Sequence, residues 1–423
     1  MSGFGCVILA AGKGTRFYSD IPKVLHDLHG KPILQHVLDT ASACGFARPV
    51  VIIGGRAGEI ERFLEGKARP VVQERQLGTA DAVKSAKKEL SRFDDIAVLY
   101  GDVPLVKKET LRSLIKCHKA TASSCTVLTV DMDDPSGYGR IIRGISGGVR
   151  AIVEDREAAA EEKRVREINV GLYCFDRKDL FEAISRVRRS RVKKEFYLTD
   201  VIAILLEDGR KVSAFKADDP DESIGMNSRA DLAKAYSILN RRKIKELNGG
   251  SVTVLDAATT FISPDAKIGK DTVIYPFTVI EKDVVIGRRC AIGPFCRLRP
   301  GTTIDDDAEI GNFVEVVRSK IGSKSKAKHL TYLGDTIVGK GTNVGCGTIT
   351  ANYDGKKKSR IVIGDKVFVG SGTILVAPVK VGNGAVTGAG SVVLKNKNIP
   401  AKAVVVGVPA RILDKSKKTK GKK

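Results

Sequence analysis

The chain has 423 residues, of which 42% are hydrophobic, and a formal net charge of +23. This length predicts two or three domains, and no apolar run approaches the ~20 residues of a membrane-spanning helix, so we expect no membrane insertion. The eight cysteines form no C-x-x-C pair and the N-terminus lacks a signal-peptide hydrophobic region, which predicts a cytoplasmic protein without a disulfide scaffold or zinc site.

The positive charge is concentrated in two short stretches. Six lysines lie within residues 415–423, and six cations lie within residues 186–194. Aromatic residues make up only 5% of the chain, and tryptophan is absent. We therefore expect a solvated basic surface that attracts small anionic substrates, with no nucleic-acid partner.

The first motif follows a short apolar strand, Val7–Leu9. Gly12 and Gly14 let the backbone turn sharply and bring its N–H groups close to an anion. Arg16 and Lys23 add two cations to the same region. This combination predicts a loop that holds a nucleoside triphosphate.

A glycine-rich loop of this kind has other common explanations. Phe17 stands where the dinucleotide-binding fingerprint has its third glycine, and the spacing of a P-loop is absent. A bare G-x-G is most often only a turn between a strand and a helix. The continuation through Arg16 to Pro22-Lys23 is what makes this motif more specific.

The first half of the chain alternates strand-like and helical patterns. The strand-like runs include Val50–Ile53, Ile96–Tyr100, Thr126–Val130 and Gly171–Phe175, and the helical patterns include Leu34–Cys44 and Ala80–Leu90. This alternation predicts a mostly parallel sheet covered by helices on both faces. Ligands bind at the carboxyl ends of such strands, where Gly12 and Asp102 both fall.

A connector helix is predicted over residues 228–250. Asn227-Ser228 is followed by Asp231, which forms a plausible capping box. Apolar residues at helical spacing follow, and Asn248-Gly249-Gly250 is a typical helix end. The helix would separate one domain over 1–227 from another over 251–412.

Beyond this helix, aliphatic residues recur every six positions. The series runs through Ile262, Ile268, Ile274, Ile280, Ile286, Ile292, Leu298, Ile304, Ile310 and Val316, and it returns at Val338, Val344 and Thr350 and again from Ile363 to Val393. Glycine often follows the aliphatic residue. This period is the hexapeptide repeat of a β-helix, with each aliphatic side chain in the core. Residues 413–423 are predicted to be a disordered basic tail.

The hexapeptide register breaks twice. Ile321 falls one residue early, and the stretch from there to Asp335 carries three lysines and His329. The second break spans Ala351–Arg360. We expect both breaks to be loops extruded from the solenoid, where functional residues usually lie.

Taken together, these motifs show that the chain resembles known enzyme families. The opening loop resembles the signature of sugar-1-phosphate nucleotidylyltransferases, and the hexads resemble the left-handed β-helix acyltransferases. The whole chain up to about Ala410 resembles the bacterial family of bifunctional N-acetylglucosamine-1-phosphate uridyltransferase / glucosamine-1-phosphate N-acetyltransferases. The other matching motifs are Gln76-Leu-Gly-Thr79, Tyr100-Gly-Asp-Val-Pro104, Gly137-Tyr-Gly-Arg140, Glu167-Ile-Asn-Val-Gly171 and His329-Leu-Thr-Tyr-Leu-Gly-Asp335.

The resemblance implies a fold and an assembly. The fold would be α/β, with an N-terminal Rossmann-like nucleotidyltransferase domain on a mostly parallel sheet. A connector helix and a C-terminal left-handed parallel β-helix of hexapeptide repeats would follow. Handedness and a homotrimeric assembly come from the resemblance alone.

For the first reaction, the resemblance implies transfer of UMP from UTP to N-acetylglucosamine-1-phosphate with release of pyrophosphate. Arg16 and Lys23 would be catalytic cations on the phosphates, and Asp102 and Asn227 would bind Mg²⁺. The residues implied in nucleotide and sugar binding are Leu9, Ala10, Ala11, Gly12, Lys23, Gln73, Gly78, Thr79, Tyr100, Gly101, Asp102, Gly139, Glu154, Asn169 and Asn227.

For the second reaction, the resemblance implies acetylation of glucosamine-1-phosphate by acetyl-CoA. His329 would be the general base that deprotonates the attacking amine, a role suited to an imidazole because it titrates near neutral pH. Arg299, Tyr332, Asn343 and Lys358 would hold the sugar phosphate. The acetyl-CoA site would be lined by Cys346, Asn352, Tyr353, Ser371 and Ala389.

The chain departs from the family pattern in this second half. Val317 stands where the family usually has a lysine, Gly407 where it has an arginine, and Cys346 where it has a small alanine. Two alternatives to the bifunctional enzyme therefore stay open. One is a uridyltransferase whose β-helix serves only for trimerisation, and the other is a non-catalytic regulatory or binding subunit of the same architecture.

Overall fold

The computed structural model describes residues 3–12, 14–54, 57–145, 147–190 and 194–413. The predicted tail at 413–423 lies outside these residues apart from Leu413. The chain divides into two compact units, one up to Tyr236 and the other from Ser237. In the described part of the chain, no helix is both long and apolar enough to cross a membrane.

The first unit alternates strands and helices as the sequence predicts. The strands of its main sheet are β1 Phe4–Leu9, β2 Val50–Ile53, β3 Arg69–Val72, β4 Asp95–Tyr100, β5 Cys125–Asp131, β6 Arg140–Arg143, β7 Val149–Val153, β8 Glu167–Asp176 and β9 Val212–Ala217. A separate short hairpin pairs Asp27–Leu28 with Lys31–Pro32. The α-helices are α1 Ile33–Ala43, α2 Ala57–Leu64, α3 Thr79–Ser85, α4 Lys87–Leu90, α5 Lys108–Thr121, α6 Arg177–Arg186 and α7 Thr199–Glu207.

Strands β1 to β9 form one sheet in the order β9-β5-β8-β4-β1-β2-β3, in which β6 also pairs with β8 and β7 pairs with β6. The pairs β1–β2, β1–β4 and β2–β3 are parallel, and β8 is antiparallel to both of its neighbours. Ile8 packs in one buried cluster while Val7 and Leu9 pack in another. The mostly parallel sheet is therefore buried on both faces, as the apolar strands predict.

Helix α8, Arg229–Asn248, begins at the predicted cap. The Asp231 carboxylate accepts hydrogen bonds from the Ser228 N–H and hydroxyl at 2.8 and 2.9 Å, and the Asp231 N–H donates to the Ser228 hydroxyl oxygen at 3.2 Å. This reciprocal pairing satisfies donors that have no partner within the helix. The capping-box prediction is confirmed.

The second unit is a parallel β-helix. Two-residue strands such as Val273–Ile274 and Ala291–Ile292 and the longer Glu309–Val317 stack in register from coil to coil. The hexad residues line one buried core, although Ile268 is only partly buried. The remaining strands are Thr253–Val254, Phe261–Ile262, Lys267–Ile268, Val279–Ile280, Val285–Ile286, Arg297–Leu298, Thr303–Ile304, Lys320–Ile321, Lys326–Gly334, Thr336–Val338, Asn343–Val344, Ile349–Ala351, Ile361–Ile363, Phe368–Val369, Ile374–Val376, Val379–Val381, Val386–Thr387, Val392–Val393, Val404–Val406 and Arg411–Ile412.

The first register break is not a loop, so that expectation was wrong. Lys326–Gly334 is a nine-residue strand that pairs in parallel with Glu309–Val317. Buried Ala327 and Leu333 occupy the core positions there. The six-residue period was missed here for two reasons. Ala327 stands at a core position where most other coils have a larger aliphatic residue, and Ile321 follows Val316 after five residues instead of six. His329 consequently lies on a strand.

The second break is an insertion, as expected. Tyr353 and Lys358 form an isolated antiparallel bridge across it, and residues 353–358 are exposed. The coil resumes at Ile361–Ile363, which pairs with Thr336–Val338. The insertion therefore leaves the β-helix core intact.

Candidate active sites

The glycine-rich loop after β1 borders a cavity of about 440 Å³ at the carboxyl end of the sheet. Its lining comprises Leu9, Ala11, Gly12, Gly14, Thr15, Arg16, Lys23, Gln73, Gln76, Gly78, Thr79, Ala82, Tyr100, Asp102, Glu195 and Asn227. Most residues assigned to the nucleotide therefore come together in one place. The lining combines charged, amide and hydroxyl side chains with glycines and only a few apolar residues, which suits a polar, charged ligand.

Backbone contacts hold this loop in position. The Ala10 N–H donates to the Ile52 carbonyl and the Gly101 N–H to the Leu9 carbonyl, both at 2.8 Å. The Gln76 side-chain amide donates to the Ala11 carbonyl at 2.7 Å. These bonds fix the backbone next to the space where an anion would bind.

Gly14 is required both by its conformation and by a close neighbour. Its φ is +64°, and a Cβ at this position would lie 2.7 Å from the Cβ of Lys23. The absent side chain lets the lysine stem lie directly against the loop. The sequence pattern of glycines and cations thus reflects close packing as well as the predicted anion binding.

Two cationic side chains and two side-chain oxygens meet in the cavity. The Lys23 ammonium pairs with the Asp102 carboxylate, and the Arg16 guanidinium donates to the Asn227 amide oxygen at 2.8 Å. The Met226 N–H donates to the Asp102 carbonyl at 2.8 Å. That bond joins the two loops that carry Asp102 and Asn227.

The predicted base-reading residues Gln73, Gly78 and Thr79 form a further wall of the cavity. Gln73 is buried, and its amide donates to the Gly78 carbonyl at 3.1 Å and to the Asp81 carboxylate at 2.7 Å. The Thr79 hydroxyl accepts a hydrogen bond from the Leu198 N–H at 2.9 Å. The start of α3 is therefore tied to two other segments of the first unit.

Gly78→Ala should strongly destabilise this wall. Gly78 has φ +117° and ψ 178°, a region essentially restricted to glycine, and a Cβ there would lie 2.5 Å from the Phe196 carbonyl oxygen. We expect a loss of about 3 kcal/mol or more in the free energy of unfolding, measured by chemical denaturation.

Gly66→Ala is the matched control for that substitution. Gly66 also has a positive φ, +73°, but beyond its chain neighbours no atom lies within 4 Å of the place where a Cβ would stand. We expect a loss of about 1 kcal/mol from backbone strain alone. Equal losses in the two variants would contradict the close approach at Gly78.

Five of the residues assigned to this site do not line the cavity. Ala10 is buried in the core, and Gly101 contributes its N–H to the loop. The predicted sugar residues Gly139 and Asn169 pair through an N–H to carbonyl bond of 2.8 Å, while Glu154 accepts from the Thr199 hydroxyl at 3.1 Å. These three stay predictions.

Tyr100 connects the cavity to the predicted sugar residues. Burial and the negative charge of Glu154 raise the pKa of the Tyr100 hydroxyl well above its ordinary value. Asn169 donates to the Tyr173 hydroxyl at 2.7 Å, and Tyr173 is itself a hydrogen-bond partner of Tyr100. The tyrosine therefore remains neutral between the two sets of residues.

Four lining residues were missed: Thr15, Gln76, Ala82 and Glu195; Gly14 was already predicted as part of the anion-binding loop. Thr15 and Gln76 lie inside motifs that the sequence already singled out. Glu195 carries no such signal, because only the fold brings its distant segment to the cavity.

On the β-helix, His329 lies in a column of residues from successive coils. Asn312 is its register partner in the preceding coil. Cys346 lies beside His329 in the next coil. This follows from the pairing of Ala327 with Val344 and from the hydrogen bond that the Gly347 N–H donates to the Leu330 carbonyl at 3.0 Å. Neighbouring strands of this kind lie about 4.8 Å apart.

The column continues through two more predicted residues. The Gly372 N–H donates to the Cys346 carbonyl and the Gly390 N–H to the Ser371 carbonyl, both at 2.7 Å, so that Ser371 and Ala389 follow in order. All of these side chains from His329 onward are exposed. The predicted base and three of the predicted acetyl-CoA residues thus form one exposed row.

A second cluster surrounds Asp335. Arg318 donates to both of its carboxylate oxygens, at 2.6 and 2.8 Å, and the Asn352 amide donates to it at 2.5 Å. The Arg318 guanidinium lowers the pKa of Asp335 below its ordinary value, and Lys358 adds to this effect. A Cβ on Gly334 would lie 2.5 Å from the Tyr332 hydroxyl, which places this tyrosine over the same cluster.

The remaining sugar-phosphate candidates are spread around these two groups. Arg299 donates to Glu315 at 2.7 Å, and Glu315 is the register partner of Tyr332. Asn343 pairs with Lys326, three residues before the His329 position. Tyr353 is exposed, and its hydroxyl donates to the Gly355 carbonyl at 2.6 Å.

Val317 stands where the family usually has a lysine, and the structure shows whether the neighbouring Arg318 can take the place of that lysine. The Val317 side chain is only 2% exposed, and the adjacent Arg318 has φ +47° and turns to Asp335. The Arg318 side chain therefore does not replace a lysine side chain at position 317. It orders the Asp335–Asn352 contact instead.

Alkylation of Cys346 should block the second site selectively. It is exposed, whereas the other seven cysteines are buried or half-buried, and burial raises the pKa of thiols such as Cys125, Cys174 and Cys296. We expect iodoacetamide to label Cys346 first and to abolish the acetyl transfer that the resemblance implies for this row, with the implied transfer of UMP unaffected.

Mass spectrometry and two assays check this expectation. Cys346→Ala is the control and should keep its acetyl transfer through the same treatment. Full acetyl transfer after complete labelling of Cys346 would contradict the placement of the thiol beside His329.

Comparison with known proteins adds relatives for both units. A family model described as a MobA-like NTP transferase domain matches residues 6–197. A model described as bacterial transferase hexapeptide (six repeats) matches residues 265–300, 283–318 and 360–395.

Full-length relatives share the complete arrangement. The chain is 42% identical over 435 residues to "Bifunctional protein GlmU" of Geobacillus thermodenitrificans, covering 95% of this chain and 94% of that protein. It is 41% identical over 440 residues to the protein of the same name from Shouchella clausii, covering 96% of each. It is 43% identical over 408 residues to that of Pelotomaculum thermopropionicum, covering 88% and 89%.

Proposed function

Since the chain belongs to the family of bifunctional GlmU proteins, and so is a bifunctional uridyltransferase and acetyltransferase, we propose that each reaction takes place in its own unit. The first unit would use the cavity below the glycine-rich loop. The second would use the exposed row at His329. The observation that carries this assignment is the convergence of Arg16, Lys23, Asp102 and Asn227 in one cavity.

In the first unit, the phosphate oxygen of N-acetylglucosamine-1-phosphate would attack the α-phosphorus of UTP in line, and pyrophosphate would leave. The loop N–H groups near Gly12 would bind the triphosphate, and Lys23 and Arg16 would neutralise charge that develops on it. Gln73 and Thr79, held by their contacts within the wall, would orient the base.

Asp102 and Asn227 suit Mg²⁺ in chemistry and number. A carboxylate and an amide oxygen are hard ligands, and Mg²⁺ keeps several waters and binds substrate phosphates as well. Each oxygen already accepts a hydrogen bond from a cationic side chain, which supports a site that attracts positive charge. When bound, the metal would polarise the phosphates.

In the second unit, His329 would accept a proton from the ammonium or amine of glucosamine-1-phosphate. The free amine would then attack the thioester carbon of acetyl-CoA, and CoA would leave as the thiol. The exposed row of Cys346, Ser371 and Ala389 supports a CoA path alongside His329. Tyr332, Arg299 and Lys358 would bind the sugar phosphate.

A homotrimer of β-helices in the cytoplasm is part of the proposal. One feature that supports self-association is a stacked row of exposed rings from successive coils, Phe277, Phe295 and Phe313. Their centroids are 4.6 and 5.2 Å apart, and each ring is between 44% and 59% exposed. Exposed apolar rows of this kind are usually covered in an assembly.

Separate assays of the purified chain test the two halves. UTP, N-acetylglucosamine-1-phosphate and Mg²⁺ should release pyrophosphate, and glucosamine-1-phosphate with acetyl-CoA should release free thiol. Pyrophosphate without thiol would favour a uridyltransferase with a lost acetyl site. Neither product would favour a regulatory subunit.

A further inference from the structure

The cavity of the first unit holds two pairs that its proposed ligands would have to separate. The Lys23 ammonium lies on the Asp102 carboxylate, and the Arg16 guanidinium lies on the Asn227 amide oxygen. Asp102 and Asn227 are the oxygens assigned to the metal. Lys23 and Arg16 are the cations assigned to the phosphates.

The surroundings of the first pair make it a defined contact. The Lys23 side chain is 10% exposed and that of Asp102 is 23% exposed, so water screens their attraction only in part. Among the described residues, no other ion pair involves either side chain. The lysine stem lies against Gly14, and the backbone of Asp102 is held by the Met226 N–H.

A largely buried charge is costly to leave without its partner. A metal ion that binds alone must displace the Lys23 ammonium from Asp102 and leave it uncompensated. A triphosphate that binds alone must draw Lys23 and Arg16 away and leave Asp102 unpaired. When both arrive together, each charge of the chain finds a new partner.

We propose that Lys23 and Arg16 act as exchange cations, which occupy the metal ligands of the free enzyme and move to the phosphates as the metal takes their place. This inference rests on the proposed uridyltransferase site and adds a coupling to it. Metal and triphosphate then assist each other's binding beyond their own contact, and by linkage the effect is reciprocal.

The exchange predicts that removal of a phosphate-binding lysine improves metal binding. We compare the full chain with K23M by measuring Mn²⁺ binding without nucleotide, since Mn²⁺ shares the oxygen ligands of Mg²⁺ and its free form is observed by electron paramagnetic resonance. K23M should bind Mn²⁺ roughly three- to tenfold more tightly. Equal or weaker binding by K23M would overturn the exchange.

K31M is the matched control. Lys31 forms an ion pair with Asp39 at 2.9 Å outside the cavity lining, so the substitution removes the same charge from the same unit. We expect its Mn²⁺ affinity to equal that of the unchanged chain. An equal gain in K31M would show an effect of net charge and would overturn the exchange as well.

The converse test starts from the other partner. D102N keeps the shape of Asp102 and frees Lys23, so it should bind UTP in the presence of EDTA more tightly by a similar factor, measured by calorimetry. A UTP affinity of D102N equal to that of the unchanged chain would overturn the proposal. If one of the two variants, K23M or D102N, fails to fold, the binding measurement on the other decides the proposal. If the unchanged chain binds no UTP with Mn²⁺, the proposed function itself fails; if it does bind and neither variant gains, only the exchange fails.

Discussion

His329→Ala should lower acetyl transfer by about 10²–10⁴-fold, the usual contribution of a general base, while transfer of UMP continues unchanged. The amine of the sugar is mostly protonated at neutral pH and cannot attack a thioester until a base removes the proton. His329 is exposed on a strand that holds it in the same row as Cys346. No second histidine lies in the described part of the β-helix.

The measurement follows free thiol from acetyl-CoA and pyrophosphate from UTP in the same preparation. Uridyl transfer is the internal control, because it reports that the variant is folded. His329→Gln extends the test, since it keeps hydrogen bonding without a base of suitable strength. A rate of acetyl transfer in the variant within roughly threefold of the unchanged chain would show that His329 is not the base, because so small a loss can come from altered packing alone.

Asp102→Ala should lower uridyl transfer by about 10³-fold and leave acetyl transfer intact. The substitution removes a proposed ligand of the metal and also leaves the Lys23 ammonium without its partner. Pyrophosphate release from UTP and N-acetylglucosamine-1-phosphate measures the loss. Raising the Mg²⁺ concentration should restore little, because the missing oxygen is part of the site itself.

Asp39→Ala provides a carboxylate control in the same unit. Asp39 pairs with Lys31 and accepts a hydrogen bond from Gln35 at 2.7 Å, and it does not line the cavity. It should retain full activity in both assays. Undiminished turnover by Asp102→Ala would contradict the assignment of the metal.

Regular patterns in the sequence predicted most of the fold. The run Val50–Ile53 is a strand with those bounds, and Ser228 with Asp231 caps α8 as expected. The six-residue period predicted the β-helix core because each aliphatic side chain performs the same packing role in its coil. The handedness and the domain limits have no test in the structure and stay predictions.

The errors arose where local pattern and packing diverge. Ala327 is 1% exposed and continues the six-residue repeat. Because alanine is small, the sequence pattern did not reveal it as a core position, and the strand that carries His329 was not predicted. The antiparallel direction of β8 is set by its pairing with distant strands, and nothing in its own residues indicates it. Tertiary contacts decide such features.

The candidate sites show the same division. Motifs located Lys23 and Asp102, which are 79 residues apart, but only the fold shows that their side chains pair. Glu195 enters the cavity from a segment without a motif. Arg318 lies next to the position of the family lysine in sequence, and the backbone at that corner turns it to Asp335 instead.

The central claim is that one chain performs both reactions, and a one-pot assay tests it most directly. The purified chain receives glucosamine-1-phosphate, acetyl-CoA, UTP and Mg²⁺, with no other enzyme. We predict UDP-N-acetylglucosamine, with one pyrophosphate released for each sugar nucleotide formed and with at least as much CoA thiol. Formation of the sugar nucleotide only when N-acetylglucosamine-1-phosphate is supplied would contradict the claim.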